Sequence, residues 1–260
     1  MSVTAVYPQV HAFVCGRLTV PRGFLIAGGE GDINVPVPAY LITHQGRHML
    51  FDTGLSHRAN TDLSSYMDEK ALAKRRFHFS PAEELSNQLA GAGVAPESIS
   101  LIANSHLHYD HCGGNAQFPQ AEVLVQRHEW EAANAAPADS GSYRKADFDV
   151  GQKVTLLDGA HDVFGDGTVQ LVPTTGHTPG HQSLLVATEH GRAVLTADAC
   201  YLRETLEQRR LPGIVADPDA VMATLDWFAA LQEDGVQVIF GHDPDFWSER
   251  SLAPVELLAS

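Results

Sequence analysis

Apolar and polar positions alternate in short runs along most of the chain, and the runs are rich in β-branched residues, the pattern of half-buried strands. Nine stretches carry it: TAVYPQVHAFVCG from Thr4, AYLITHQG from Ala39, RHMLFDTG from Arg47, SISLIANSH from Ser98, AEVLVQ from Ala121, TVQLVPTTG from Thr168, SLLVATEHG from Ser183, RAVLTADA from Arg192 and VQVIFGHD from Val236. Helical spacing of apolar positions is confined to two segments. One is SPAEELSNQLAGAGV, with Ser80 as the cap ahead of Pro81, and the other is DPDAVMATLDWFAALQEDGV, with Asp217 or Asp219 as the cap. Strands thus come in consecutive groups with few helices between them, which predicts layered sheets with helices outside and not a regular βα wheel. Segments 55–79 and 136–150 are the least periodic parts and are expected to be long functional loops. No fixed-period repeat or low-complexity linker divides the sequence, so residues 1–260 are expected to form one domain.

Charge narrows the partners. Against 17 Lys and Arg stand 32 Asp and Glu, a formal charge of -15, and a field of that sign repels phosphate backbones and anionic lipid. Nucleic acid and membrane are therefore not expected partners. The stretch MSVTAVYPQVHAFVC has no Lys or Arg and no compact apolar core, so it does not read as a secretory signal. Cys15, Cys112 and Cys200 are too few and scattered for a disulfide framework, which suits a cytoplasmic setting and small buried side chains. The basic run Lys70, Lys74, Arg75 and Arg76 reads as a solvated face or a subunit contact.

The stretch SHLHYDHCGGN, residues 105–115, changes the picture. It places His106, His108, Asp110 and His111 within one turn after an apolar run. Imidazole nitrogens and carboxylate oxygens are the ligands that borderline divalent metals prefer. The same grammar, an apolar strand followed by metal-competent residues, recurs at Asp52 in MLFDTG, His177 and His181 in LVPTTGHTPGH, Asp198 in AVLTADACY and His242 in VIFGHD. Each alone is weak, because a single Asp or His at a strand end is usually a turn or cap. Together, five strand ends delivering ligands point to one edge of one sheet assembly.

Four of these motifs, H-x-H-x-D-H at His106 to His111, G-H-T-P-G-H at Gly176 to His181, the strand-following Asp198 and G-H-D at Gly241 to Asp243, resemble in order those of the metallo-β-lactamase superfamily. The resemblance implies an α+β fold, the αβ/βα four-layer sandwich of two mixed sheets flanked by helices, with a dinuclear metal site at one edge. It implies that one metal takes His106, His108 and His177, that the second takes Asp110, His111 and His242, and that Asp198 bridges them. Asp52 is then expected to orient ligands, and His181 to do the same or to pack the loop. Within the superfamily the chain is most similar to the N-acyl homoserine lactone lactonases, in SHLHYDHCGGN, TTGHTPGHQSLLV and LTADACY. That likeness assigns Tyr201 to the substrate lactone and Asp110 to proton transfer.

The expected reaction is ring opening of N-acyl homoserine lactones, quorum quenching, by a hydroxide bridging two divalent ions, most naturally Zn2+, with iron, cobalt or manganese as alternatives. Water held between two such cations reaches a pKa of about 7. The alternatives are a lactonase for small lactones such as γ-butyrolactone and a glyoxalase II-like thioesterase. The thioesterase family carries a further helical domain, whereas only 18 residues follow His242 here. Phe24, Leu25 and segment 55–79 are the candidates for an acyl-chain groove, and relatives suggest a homodimer.

Overall fold

The computed structural model describes residues 6–137, 141–248 and 255–256. Thr4 and Ala5 of the first predicted strand lie outside the described residues. Among the described residues there are thirteen strands: β1 (Gln9–Pro21), β2 (Asp32–His44), β3 (Arg47–Phe51), β4 (Arg76–His78), β5 (Ile99–Ala103), β6 (Glu122–Gln126), β7 (Val154–Leu157), β8 (His161–Asp162), β9 (Val169–Pro173), β10 (Gln182–Thr188), β11 (Gly191–Leu195), β12 (Gln237–Ile239) and β13 (Val255–Glu256). The larger sheet has the order β13-β1-β2-β3-β5-β6-β7, with β4 added against β1, and the smaller has the order β12-β11-β10-β9-β8. Both are mixed. β1 to β3 pair antiparallel and β3, β5, β6 and β7 parallel, while β12 alone is parallel in the smaller sheet.

Alternation along the strands explains the layering. Val10, Ala12 and Val14 of β1, Tyr40 and Ile42 of β2 and Met49 and Phe51 of β3 share one buried cluster with Leu171, Leu184, Val186 and Leu195 of the smaller sheet. Their neighbours Phe13, Cys15, Ala39, Leu41 and Leu50 turn to the opposite face and pack with Leu85 and Leu89. The helix Pro218–Glu233 adds Val221, Leu225 and Phe228 to the first cluster, and Asp217 caps it by accepting from the amides of Asp219 and Ala220. Each such fully buried apolar side chain contributes about 1.5–3 kcal/mol. Two mixed sheets flanked by helices form the expected four-layer sandwich, and no described helix is long and apolar enough to cross a membrane.

Three local expectations change. Strand β2 begins at Asp32, seven residues before the predicted Ala39. Pro36 and Pro38 hide it in the sequence, and they sit where the ladder with β1 is already interrupted, between Val14 and Arg17. The predicted helix from Ser80 splits into a short 3-10 turn, Pro81–Glu83, and the helix Leu85–Gly91. Glu84 between them is extended, and its buried carboxylate is held by His57 at 2.8 Å and Asn60 at 2.9 Å. Segment 55–79 is not a plain loop: it holds the one-turn helices Arg58–Thr61, Leu63–Tyr66 and Glu69–Leu72, then β4.

Candidate metal centre and substrate cleft

Strands β3, β5, β6, β9, β11 and β12 end near one edge of the sandwich, and the residues following them converge there. Asp52 follows β3, His106 to His111 follow β5, His177 follows β9, Asp198 follows β11 and His242 follows β12. The two sheets are stitched at this edge, where the amide of Gln182 donates to Ser105 O at 2.9 Å and its side chain donates to Asn104 O at 2.8 Å. The turn carrying the first ligands is packed tightly. A Cβ on Gly113 would lie 2.5 Å from Ser56 N, and one on Gly114 would lie 2.3 Å from Thr53 O, so close approach of two backbones requires both glycines.

The sequence-predicted ligands fall into two groups. His106, His108, His177 and Asp198 present donor atoms within 4.8 Å of one another, and so do Asp110, His111 and His242. Asp198 faces both. Its Oδ2 is 3.2 Å from His177 Nε2 and 3.6 Å from His106 Nε2, while its Oδ1 is 3.0 Å from His111 Nε2 and 2.9 Å from His242 Nε2. Orientation is set from behind. His242 Nδ1 donates to Pro36 O at 2.7 Å, and Asp52 Oδ2 lies 2.8 Å from His111 Nδ1. Asp52 also accepts from Ser105 N at 2.7 Å and from Ser105 Oγ at 2.8 Å. Asp52 holds a left-handed backbone, φ +59°, and so does Ala197 beside Asp198, φ +45°. Such strain persists where surrounding contacts over-determine it.

Charge states follow from burial. Burial pushes His106 well below its ordinary pKa and takes His108 and His177 to about 3, with Asp198 opposing the shift in each. These rings are neutral, with a lone pair to offer. Burial works against the charge on Asp198, yet His111, His242 and His177 outweigh it and hold the carboxyl ionised. The Nε2 atom of His106 is buried without a hydrogen-bond partner, 3.6 Å from Asp198 Oδ2. An unpaired buried nitrogen is costly, and imidazole nitrogens around a shared carboxylate are a donor set that divalent cations satisfy. The residues therefore fit two metal ions.

Tyr201 and His181 sit in different places. Tyr201 is buried, stacks on His242 at 5.8 Å and has its hydroxyl 2.9 Å from His177 Nδ1. His181 belongs to neither donor group. It lies behind His106, ring to ring at 5.2 Å, with Nδ1 2.9 Å from Thr174 Oγ1, and burial takes it to a pKa of about 3. Cys112 and Cys200 are free, buried thiols outside both groups, as is Cys15 on the opposite face.

A cleft of about 650 Å³, counting its open mouth, lies over the edge. His108, Asp110, His177, Asp198, Tyr201 and His242 form its floor, and Leu18, Val20, Phe24, Leu25, Val35 and Ile214 form an apolar wall. Phe24 and Leu25, expected near an acyl chain, are in this wall. From segment 55–79 only Arg75 reaches the cleft.

Two residues were not found from the sequence. Glu129, fully buried, accepts from Leu107 N at 2.9 Å and Gly180 N at 3.2 Å, so one carboxylate holds both histidine loops. Its Oε1 also accepts from Tyr143 at 3.0 Å. Burial raises its pKa, and these hydrogen bonds oppose the rise. It follows β6 as the predicted ligands follow their strands, and that shared position was the available signal. Arg75 is the second, which the sequence reads only as part of a solvated basic face or a subunit contact.

Comparison with known proteins agrees with this geometry. Residues 33–242 match the model of the metallo-beta-lactamase superfamily. The N-acyl homoserine lactonase AttM of Rhizobium radiobacter is 34% identical over 236 residues, 87% of this chain and 89% of the relative. The N-acyl homoserine lactonase AiiA of Bacillus thuringiensis subsp. kurstaki is 32% identical over 217 residues, 81% of this chain and 82% of its own. A solved N-acyl homoserine lactone hydrolase, with the product N-hexanoyl-L-homoserine bound at its catalytic metal centre, superposes with a TM-score of 0.85 at 26% identity, covering 96% of this chain and all of that one. With the ligand-bearing turns on the strand ends of a shared sandwich, the chain belongs to the metallo-β-lactamase superfamily.

Proposed function

We propose that this protein is a dinuclear metal-dependent lactonase that hydrolyses the ring ester of N-acyl homoserine lactones. One observation carries the reading: an apolar wall continues directly from a floor of two convergent donor groups, which suits a neutral ester with a hydrocarbon tail. The names of the relatives point to the same substrate. His106, His108 and His177 would hold one cation, Asp110, His111 and His242 the other, and Asp198 both. Zinc suits this nitrogen and oxygen set. Bound there, divalent cations supply Lewis acidity toward the carbonyl and lower the pKa of water to about 7.

The chain's own groups do the rest. With the Nε2 lone pair of His177 reserved for a cation, its ring proton sits on Nδ1 and is donated to the Tyr201 oxygen 2.9 Å away. The phenol proton, which faces the Asp198 carboxylate here, would turn to the lactone carbonyl oxygen, where negative charge builds during attack. Burial, with Asp198 nearby, pushes the Tyr201 pKa well above its ordinary value, so it stays a donor. A preorganised donor of this kind is worth about 3–4 kcal/mol. As water adds to the acyl carbon and the ring C–O bond breaks, the departing alkoxide takes a proton. Asp110, on the cleft floor, carries it, and a hydroxy acid leaves. Three buried free thiols suit a cytoplasmic setting.

A panel of N-hexanoyl homoserine lactone, γ-butyrolactone, a glutathione thioester and a β-lactam tests the reading on metal-loaded enzyme. The acyl homoserine lactone should show the highest kcat/KM, and Tyr201→Phe should lower it about 100-fold with bound metal unchanged. Preference for the thioester or the β-lactam contradicts it.

A further inference from the structure

Arg75 is the one cation on the cleft wall, half-buried and without a carboxylate partner among the described residues. Its guanidinium lies 5.9 Å from the centre of the Phe24 ring and 5.8 Å from that of Tyr109, and it interacts with the Tyr109 hydroxyl. Its charge is also felt at His108. Two rings therefore fix it between the donor groups, on the Tyr109 and His108 side, and the apolar wall, on the Phe24 side. A guanidinium is planar by its own bonding, and beside two rings it presents its N–H donors as a fork. A hydrocarbon tail alone gives such donors nothing to bind.

Resting on the lactonase reading, we infer that Arg75 selects lactones whose ring carries an acylamino group, by donating to the amide carbonyl oxygen. The scissile ester has to lie over the donor groups, and the tail fits the wall of Leu18, Val20, Phe24 and Leu25. In an N-acyl homoserine lactone the amide is the link between ring and tail, and Arg75 occupies that intermediate position. γ-Butyrolactone and alkyl lactones have no acceptor there. Arg75 is thus a specificity residue and leaves the chemistry at the ring untouched.

The test compares N-hexanoyl homoserine lactone with γ-decalactone, which has a tail and no amide, in wild type, Arg75→Met and Arg75→Lys. Loss of a charge-assisted hydrogen bond predicts a fall in kcat/KM of about 10- to 100-fold for the amide substrate in Arg75→Met. The fall should lie mainly in KM, with γ-decalactone within about twofold of wild type. Arg75→Lys, which keeps the charge and loses the fork, should fall between and carries the test where the Met variant does not fold. Equal losses on both substrates, or none on either, would overturn the inference while leaving the lactonase reading in place. Wild-type enzyme inactive on both lactones overturns the parent reading, and this one with it.

Discussion

Residues 104–115 and residues 55–79 both face the substrate cleft, and they are built in opposite ways. In the first, every residue is buried except His108 and Asp110, which open onto the cleft. Its polar groups are braced from several strands, by Asp52, by Thr53 on His111 O and Asn115, and by Glu129 on Leu107 N. In the second, three one-turn helices lie over the larger sheet with His57, Thr61, Asp62, Glu69, Lys70 and Lys74 exposed. It is anchored by a smaller share of buried side chains, Leu55, Ala59, Tyr66, Met67 and Ala71 among them. The lesson is a division of labour. The donor groups that converge are locked onto strand ends, and a less buried cover presents Arg75 to the cleft.

Breaking the braced side should have the larger effect. Glu129→Gln keeps the side-chain shape and removes the charge that holds both histidine loops. Metal affinity, read by competition with a chromogenic chelator, should fall about 10- to 100-fold, the range for groups that orient ligands. Unchanged affinity would mean that packing alone positions the loops.

Weakening the cover should act on stability and leave metal affinity alone. Tyr66 donates to Asp147 Oδ2 at 2.6 Å, with the Arg144 guanidinium 4.7 Å from the Tyr66 ring centre, which fastens the cover to the helix Lys145–Phe148. Burial raises Asp147 from 3.8 to about 6, against the pull of Tyr66 and Arg144. A carboxyl with a raised pKa binds its proton more tightly folded than unfolded. Its contribution is therefore full below about pH 3.8 and lost as pH rises through about 6. Asp147→Asn removes this titration, and the stability difference between pH 4.5 and pH 7, from denaturant melts, should change by about 1–3 kcal/mol. An identical pH profile in the variant would dissolve the proposed fastening.

Legibility in the sequence followed the same division. The donor residues could be read because the chemistry needs them contiguous, as in His106 to His111, or directly after apolar runs, as at Asp198 and His242. Their grouping around two centres came from family resemblance, since spacing alone does not say which donors share a cation. Glu129 was hidden inside QRHEWEAANA, where a carboxylate looks like any solvated helix face until tertiary packing buries it. Arg75 was hidden in a basic run for the same reason: burial of one long side chain depends on what packs over it. Strand β2 was cut short by Pro36 and Pro38, whose missing donors matter little where the ladder is already interrupted.

The central claim is that Asp198 serves two cation sites at once, and a metal titration tests it most directly. Chelator-stripped enzyme is reloaded with zinc while bound metal and lactone turnover are followed together, for wild type and Asp198→Ala. The account predicts that wild-type turnover saturates at two equivalents per chain and that the variant loses tight binding at both sites together, with activity down about 1000-fold or more. Saturation at one equivalent, or a variant that keeps either site intact, would contradict it.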